Sequence, residues 1–238
     1  MNSAFLGIIA AVCWGVHDFL AGTVSRGIGQ LRTTVAVTLF GLAAITLWLV
    51  WRQSLPAIEF PSAPIALVSG AGVALATLWL FAAFTSGPMA LALPIVMSYP
   101  ATTLLIAALW GAPPTALHLL LAGVVMAGAL IAAFGGDETE KAGESRRRCI
   151  VFALLAHAGF AVATTLGQHA ATLIGAVDAT WLSRAGGTLL ILPVFLLTPG
   201  VESSKAGTLL SALVAFKRLH DDNARLEDVF ASFVRRRP

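Results

Sequence analysis

Three residues near the N-terminus combine side chains that can bind a solute and move a proton. Trp14, His17 and Asp18 lie in the apolar run that begins at Ala4. Helical residues three and four positions apart share a face, so an aromatic ring, an imidazole and a carboxylate would lie together. We predict a substrate or proton site, because His17 can change its charge near neutral pH. The alternative for both residues is that the helix sits lower in the membrane, so that Asp18 and Arg26 both lie near an interface.

Two prolines interrupt a later apolar stretch, residues 87–110. Pro94 and Pro100 each lack a backbone donor and leave a carbonyl that needs a partner away from water. Between them lie Ser98 and Tyr99, the single tyrosine of the chain. Broken helices of this kind often line transport sites. A simple packing kink accounts for the prolines equally well.

Arg184 is the one basic residue inside a predicted membrane span. It can extend its guanidinium to the membrane interface, or it can be the counter-charge for Asp18 or for an anionic substrate. His157 and His169 are interpreted as hydrogen-bonding residues between helices rather than as ligands. Trp79 is typical of the interior of a helix bundle.

The composition indicates an integral membrane protein. Apolar residues make up 58% of the 238 residues and charged residues 11%, far from the roughly half and quarter of an average soluble domain. Stretches of about 20 apolar residues can cross the hydrocarbon core. We predict seven such spans, at 4–24, 33–51, 65–84, 88–110, 115–135, 149–170 and 179–198. The net charge of +3 comes from residues between and after the spans, so we predict the lipid bilayer and no nucleic acid as partner.

The predicted fold class is an all-α, polytopic bundle of about seven transmembrane helices. Residues 153–170 resemble residues 8–25 weakly, which suggests a five-helix repeat followed by an incomplete second repeat. The predicted units are 1–135 for the first repeat, 136–148 for a polar linker, 149–200 for the two-helix second repeat, and 201–238 for a half-length apolar segment with a charged amphipathic tail. Pairs of small residues such as Gly123 and Ala127 predict close packing of the fifth span.

The motifs of common enzymes are absent. The sequence holds no GxSxG, HExxH, GxxxxGK[ST] or GxGxxG pattern, and these patterns carry the nucleophiles, metals and phosphates of many catalysts. The cysteines, Cys13 and Cys149, form no CxxC pair. We therefore predict no enzyme, no cofactor, no disulfide framework and no metal site.

Several segments, in their order along the chain, resemble the EamA-like family of the drug/metabolite transporter superfamily. They are "WGVHDFLAGTVSR", "GPMALALPIVMSYPATTLLIAALWG", "HLLLAGVVMAGALIAAF" and "TWLSRAGGTLLILPVFLL", and the resemblance reaches to about Thr198. It implies two inverted five-helix repeats, ten helices in all, and transport without ATP. It also implies a central cavity lined by the helices that bear Trp14, His17, Asp18, Trp79, Ser98, Tyr99, Pro100 and Arg184.

The chain departs from that family in three ways. The loop "GAPPT" lacks the charged residues usual there, and the three last helices have no counterpart, so a C-terminally shortened member is expected. The family's termini are usually cytoplasmic. Here the lysines and arginines of the short loops, which mark the cytoplasmic side, favour an external N-terminus. The orientation stays open.

The expected function is secondary transport of a small metabolite, amino acid or drug across the cell (inner) membrane. Because the second repeat is incomplete, a second copy of the chain or a partner chain is expected to complete the bundle. The alternative is a truncated, non-transporting membrane protein, or a scaffold whose C-terminal tail binds a partner.

Overall fold

The computed structural model describes residues 3–53, 62–109, 114–134 and 143–198, and the secondary structure in these ranges is helical without strands. Most of the predicted linker and the whole predicted tail, 201–238, lie outside the described residues. There are eight helices in the described ranges: α1 Ser3–Ile28, α2 Gln30–Trp51, α3 Ser62–Ser86, α4 Met89–Met97, α5 Tyr99–Leu109, α6 Ala116–Phe134, α7 Gly143–Ile174 and α8 Ala176–Leu196.

Six stretches of the described helices are long and apolar enough to cross a membrane. They are α1, α2, α3, α4 together with α5, α7 and α8, so the chain is a multi-pass helical membrane protein. The fourth predicted span is divided into α4 and α5 at Ser98. The fifth predicted span corresponds to α6, where the apolar stretch is shorter, Ala116–Gly128.

Two glycines make the same tight turn in two places. Gly29 joins α1 to α2 with φ +90°, and Gly175 joins α7 to α8 with φ +87°. Each turn is one residue long, and a left-handed φ of this kind favours glycine because a side chain would clash with the backbone. The two turns stand 146 positions apart. The weak sequence alignment of 153–170 with 8–25 uses an offset of 145, so it is displaced from these turns by one residue.

α3 lies at the centre of the bundle, and its backbone touches that of α8. A Cβ on Gly70 would overlap the carbonyl oxygen of Ser183, and a Cβ on Gly186 would overlap the carbonyl oxygen of Leu67. On Gly187 a Cβ would be 3.0 Å from the Gly70 carbonyl oxygen. Small residues allow such close approach in membranes, where van der Waals contact largely replaces hydrophobic driving force.

The other face of α3 packs on α7 through small residues. A Cβ on Gly72 would be 3.0 Å from Ala163 Cβ, and a Cβ on Gly159 would be 3.0 Å from Ala76 Cβ. Ser69 adds a hydrogen bond from its hydroxyl to the Ala163 carbonyl, at 2.8 Å. Together with α8, these contacts hold α3 on two sides.

α2 and α8 contact each other reciprocally. A Cβ on Gly41 would be 3.3 Å from the guanidinium of Arg184, and a Cβ on Gly187 would be 3.4 Å from Cγ2 of Thr38. Adding the interval of 146 between the two glycine turns converts Thr38 into Arg184 and Gly41 into Gly187. Contacts in which residue i meets j′ and i′ meets j are the signature of a two-fold relation.

Hydrogen bonds join α1, α3 and α7 at one end of the bundle. The Arg26 side chain donates from Nε to the Phe84 carbonyl at 2.9 Å and from Nη2 to the Gly87 carbonyl at 3.1 Å. Ser145, at the start of α7, donates to the Ser86 carbonyl. These donors satisfy carbonyls at the end of α3, which have no partner within the helix. Arg26 and the basic start of α7 (146–148) therefore lie at the same end.

His157 on α7 holds the point where α4 ends and α5 begins. Its Nδ1 lies 2.9 Å from the Ile95 carbonyl oxygen and 3.1 Å from Ser98 Oγ, and its Nε2 lies 2.8 Å from Thr102 Oγ1. The Ile95 carbonyl also accepts the Ser98 hydroxyl at 2.7 Å. The broken helix thus has polar partners from its neighbour, as hydrocarbon requires. His157 is the interhelical hydrogen-bonding residue that the sequence predicts.

The predicted close packing of the fifth span through small residues is wrong. α6 packs on α4 and α5, yet a Cβ on Gly123 or on Gly128 would meet no atom within 4 Å. These glycines face away from the described helices. Small-residue spacing alone does not say which face of a helix has a neighbour.

We expect Gly186→Ala to lower the stability of the bundle by about 1–3 kcal/mol, because the new Cβ would overlap the backbone of α3. Thermal unfolding of the purified protein in detergent measures this. Gly123→Ala is the matched control, since its Cβ meets no atom within 4 Å and alanine favours helix by roughly 1 kcal/mol. Equal melting temperatures for the two variants would contradict the close α3–α8 contact.

We expect His157→Leu to cost about 1–3 kcal/mol, because Ser98, Thr102 and the Ile95 carbonyl each lose a hydrogen-bond partner. The same melting measurement applies. Thr102→Val removes only the bond to Nε2 and should cost less, about 0.5–1.5 kcal/mol. A His157→Leu protein that melts with the wild type would show that the break between α4 and α5 holds without this side chain.

Candidate functional site

α1 carries His17 and Asp18 at the middle of its apolar span. The membrane-spanning stretch of this helix is Gly7–Ile28, and its midpoint falls between His17 and Asp18. The span predicted from the sequence, 4–24, places Asp18 about four residues from the midplane. The helix continues further than predicted, so Asp18 is central and Arg26 is close to the end. This placement favours a site within the membrane over the alternative of an interface location.

Asp18 is buried and has one partner in its neighbour. The residue is 3% exposed, and its Oδ1 lies 3.0 Å from Nδ1 of His17. The His17 side chain is 44% exposed, and its ring meets that of Trp14 edge to face at 6.2 Å between centroids. An aspartate at the membrane centre costs on the order of 2.5–3.5 kcal/mol. The His17 imidazole offsets part of that cost, and it is the more exposed of the two side chains.

The pair opens onto a cavity of about 270 Å³ between five helices. α1, α2, α3, α7 and α8 all contribute to its wall, so packing of distant parts of the chain is needed to form it. Its lining residues are Cys13, Trp14, His17, Asp18, Val37, Val73, Thr77, Leu80, Phe160 and Arg184. The wall is mostly apolar with a few polar groups, which is the usual character of a small-molecule site.

Arg184 lies deeper in the membrane than the sequence span suggests. α8 begins at Ala176, three residues before the predicted start, so Arg184 stands two residues before the middle of its span, Ala176–Leu196. At 1.5 Å per residue this is roughly 3 Å from the midplane. Of the two expectations, extension to the interface and a charge facing the interior, this depth favours the second. It forms no ion pair with Asp18, whose partner is His17.

A second cavity of about 390 Å³ shares a wall with the first. The residues common to both are Trp14, Val37, Val73, Thr77, Phe160 and Arg184. Hydroxyl and amide groups line the rest of the larger cavity, among them Ser69, Tyr99, Thr164, Gln168, Thr180 and Ser183. The two cavities therefore adjoin along Trp14, Phe160 and Arg184.

Cavity-lining positions recur at the interval that separates the two glycine turns. Adding 146 converts Trp14 into Phe160 and Thr38 into Arg184, and all four residues line the larger cavity. The same step converts Asp18, in the smaller cavity, into Thr164 in the larger. Asp18 and Arg184, the charged residues of these pairs, thus have a threonine at the position 146 residues away.

The structure brings five of the eight predicted site residues to these cavities: Trp14, His17, Asp18, Tyr99 and Arg184. The Tyr99 ring packs on Phe160 at 5.5 Å between centroids.

The three others lie elsewhere. Ser98 is buried and hydrogen-bonded to the Ile95 carbonyl. Pro100 is exposed at the second position of α5, where its missing N–H has no partner to lose. Trp79 packs against the core between α3 and α7.

Sequence reasoning did not identify several lining residues. Val73, Thr77 and Phe160 sit in long apolar spans, and nothing in their spacing distinguishes them from lipid-facing neighbours. Thr164 and Gln168 also line the larger cavity, and the sequence could have indicated them because both are polar residues within the apolar helix α7. Only the crossing of α3, α7 and α8 decides which face of each helix lines a cavity.

Within the described part of the chain, no three His, Cys, Asp or Glu residues come close enough together to hold a metal ion. Cys13 is exposed and lines the smaller cavity, whereas Cys149 is buried. Cys149 lies under the turn after α3, where a Cβ on Gly87 would be 2.8 Å from its own Cβ. Cys149 therefore packs in the interior, and Cys13 forms part of the cavity wall.

Comparison with known proteins assigns the chain to a family. The family model of the EamA-like transporter family matches residues 1–134, more than half of the chain. No curated protein and no solved structure matches. The matched segment includes α1 to α6 and therefore His17, Asp18 and most of the wall formed by α2 and α3. With its membrane-spanning helices and internal cavities, this chain belongs to the EamA-like transporter family of the drug/metabolite transporter superfamily and is a multi-pass membrane transporter.

Proposed function

We propose that this protein is a secondary transporter of the cell (inner) membrane that carries a small polar or amphipathic solute, such as a metabolite, amino acid or drug, through the cavities around Asp18. The observation that carries the proposal is a carboxylate at the centre of a membrane span, 3% exposed, on the wall of a cavity. A charge in this place is expensive, and such residues generally mark substrate or proton pathways.

His17 and Asp18 together can hold and release one proton. The imidazole is 44% exposed and the carboxylate 4% exposed, and both residues line the smaller cavity. We infer that a proton reaching the carboxylate passes through the more exposed His17. A bound proton neutralises the pair, whereas its loss leaves a negative charge at the membrane centre. The charge of the pair can in this way be linked to the occupancy of the neighbouring solute cavity.

The reciprocal contacts of α2 and α8 support a two-fold relation between the segments α1–α2 and α7–α8. Thr38 lies over Gly187, and Arg184 lies over Gly41. In transporters built from repeats, the solute site lies at the interface between them, and alternating access comes from motion of one against the other. We infer that the first two helices of the second repeat correspond to α7 and α8, and that the site lies on their pseudo-two-fold axis.

Alternating access would further involve a second copy of the chain or a partner chain. In the described structure α1 packs on α2 and α3, and its outer face exposes large apolar side chains such as Phe5, Ile8, Val12 and Phe19. Lipid can cover such a face as well as protein can. Cross-linking in native membranes, followed by mass measurement, distinguishes a single chain in lipid from an assembly.

We expect the full chain in proteoliposomes to accumulate at least one solute of a broad panel when a proton gradient is imposed. Asp18→Asn should abolish gradient-driven accumulation, because the variant keeps the size of the side chain but cannot change its charge. Asp178→Asn is the matched control. Asp178 lies in the first turn of α8 and lines neither cavity, so its neutralisation should leave accumulation near the wild-type level.

A second assay measures the exchange of labelled for unlabelled solute without a gradient. It distinguishes loss of coupling to the proton gradient from loss of solute transport itself. Asp18→Asn is expected to retain exchange if the cavity still closes around the solute. Equal gradient-driven accumulation by Asp18→Asn and the wild type would show that this carboxylate does not couple the transport. Absence of flux for the whole panel, in protein shown to be folded, would instead favour the non-transporting scaffold.

A further inference from the structure

We propose that Arg184 forms the anion-binding subsite of this transporter and that its solute is a monocarboxylate with an apolar, preferably aromatic, body. This inference rests on the proposed transport function and names the solute class for it. The guanidinium lies near the midplane of α8 and faces both cavities. The solute would bind with its carboxylate at Arg184 and its body between Trp14 and Phe160.

The first step of the argument is that Arg184 has no partner within the described ranges 3–53, 62–109, 114–134 and 143–198. No hydrogen bond or ion pair joins its side chain to a residue of those ranges. The contrast is Arg26, which donates to two carbonyls. A charged group inside a membrane protein is normally paired or faces a site. Within those ranges its donors are unpaired, and Arg184 lines both cavities where they adjoin.

The second step is that packing alone does not require a guanidinium at this position. Thr38 is the counterpart of Arg184 in the reciprocal α2–α8 contact, and it lies over Gly187 as Arg184 lies over Gly41. The Thr38 hydroxyl is used within its own helix, in a 2.7 Å bond to the Thr34 carbonyl. A short neutral side chain therefore fills one of the two equivalent places. Helix packing therefore does not account for the positive charge of Arg184 at the other place.

The third step concerns which anion fits. A guanidinium presents two parallel N–H groups that match the two oxygens of a carboxylate. Asp18 lines the smaller cavity together with Arg184, so its negative charge disfavours a second negative charge on the solute. The remaining shared wall is apolar or aromatic apart from Thr77, whose hydroxyl bonds to the Val73 carbonyl of its own helix. A solute with one carboxylate on an apolar body would pair with Arg184, bring no second negative charge near Asp18 and pack on the apolar wall.

Size agrees with this class. The cavities measure about 270 and 390 Å³, at the lower end of the roughly 300–1,000 Å³ of small-molecule sites. They suit a single ring with a short acidic side chain. The absence of a side chain at Gly41 leaves space for the guanidinium. A Cβ there would be only 3.3 Å from Cζ, Nε and Nη1 of Arg184.

Binding to the full-length protein in detergent tests the inference without transport. The probe is 3-phenylpropionate, and 3-phenylpropanamide is its uncharged match. Ligands that bind the folded state raise the melting temperature in proportion to the logarithm of their concentration above Kd. We expect the carboxylate to stabilise the wild type at concentrations where the amide does not. Phthalate, an aromatic dicarboxylate, should bind more weakly than 3-phenylpropionate.

Variants then assign the binding to Arg184. Arg184→Gln should weaken 3-phenylpropionate at least about tenfold, because a charge-assisted hydrogen bond is lost, and should abolish the preference over the amide. Gly41→Val keeps the charge but displaces the guanidinium, so it should weaken the carboxylate as well. Arg52→Gln is the matched control for loss of a positive charge. Arg52 is exposed, stacks on Trp48 and lines neither cavity.

The outcomes are decisive in both directions. Selective binding of the carboxylate that Arg184→Gln removes and Arg52→Gln leaves would support the subsite. Equal binding of acid and amide, tighter binding of phthalate, or no binding of 3-phenylpropionate by folded wild-type protein would overturn it. Transport by the wild type of a solute that carries no carboxylate, lost in Asp18→Asn and kept in Arg184→Gln, would overturn the inference while the proposed function stands.

Discussion

Backbone contact between α3 and its neighbours is the constraint on which the rest of the structure depends. Gly70 lies against the Ser183 carbonyl and Gly186 against the Leu67 carbonyl, with no room for a Cβ at either crossing. In lipid, two apolar helices gain little from leaving their surroundings, so close van der Waals contact must hold them together. The contact joins a helix before the polar linker to one after it. It therefore determines how the two parts of the chain face each other.

The larger cavity adjoins this close contact, because Gly70, Ser183 and Gly187 lie on its wall. Trp14, Phe160 and Arg184 line both cavities. Most hydroxyl groups of the bundle bond to carbonyls of their own helix, as Thr34, Thr77 and Thr165 do. Those groups are therefore satisfied without a ligand. The charged groups on the cavity walls are the His17–Asp18 pair and Arg184.

Asp18 and Arg184 differ in chemical type from the residues that lie 146 positions away from them. Their counterparts at the interval of 146 are Thr164 and Thr38, which bond to carbonyls within their own helices. A site built from corresponding positions would otherwise present similar groups on both sides. Opposite charges lie on different helices, with Arg184 on α8 and Asp18 on α1, so two sides of the smaller cavity differ in charge. A solute with one polar end can be oriented by such a wall.

The sequence by itself determined the membrane environment, most of the spans, the family resemblance and the polar face of α1. These follow from composition and helical periodicity, which act within one segment. It did not determine that Ser98 and Trp79 lie away from the cavities, that Gly123 and Gly128 face none of the described helices, or that Thr77 and Phe160 line the cavities. Only the tertiary structure decided these points, because a long apolar helix has no polar face to mark its inner side. Which side faces inward depends on where another backbone comes close enough to touch it.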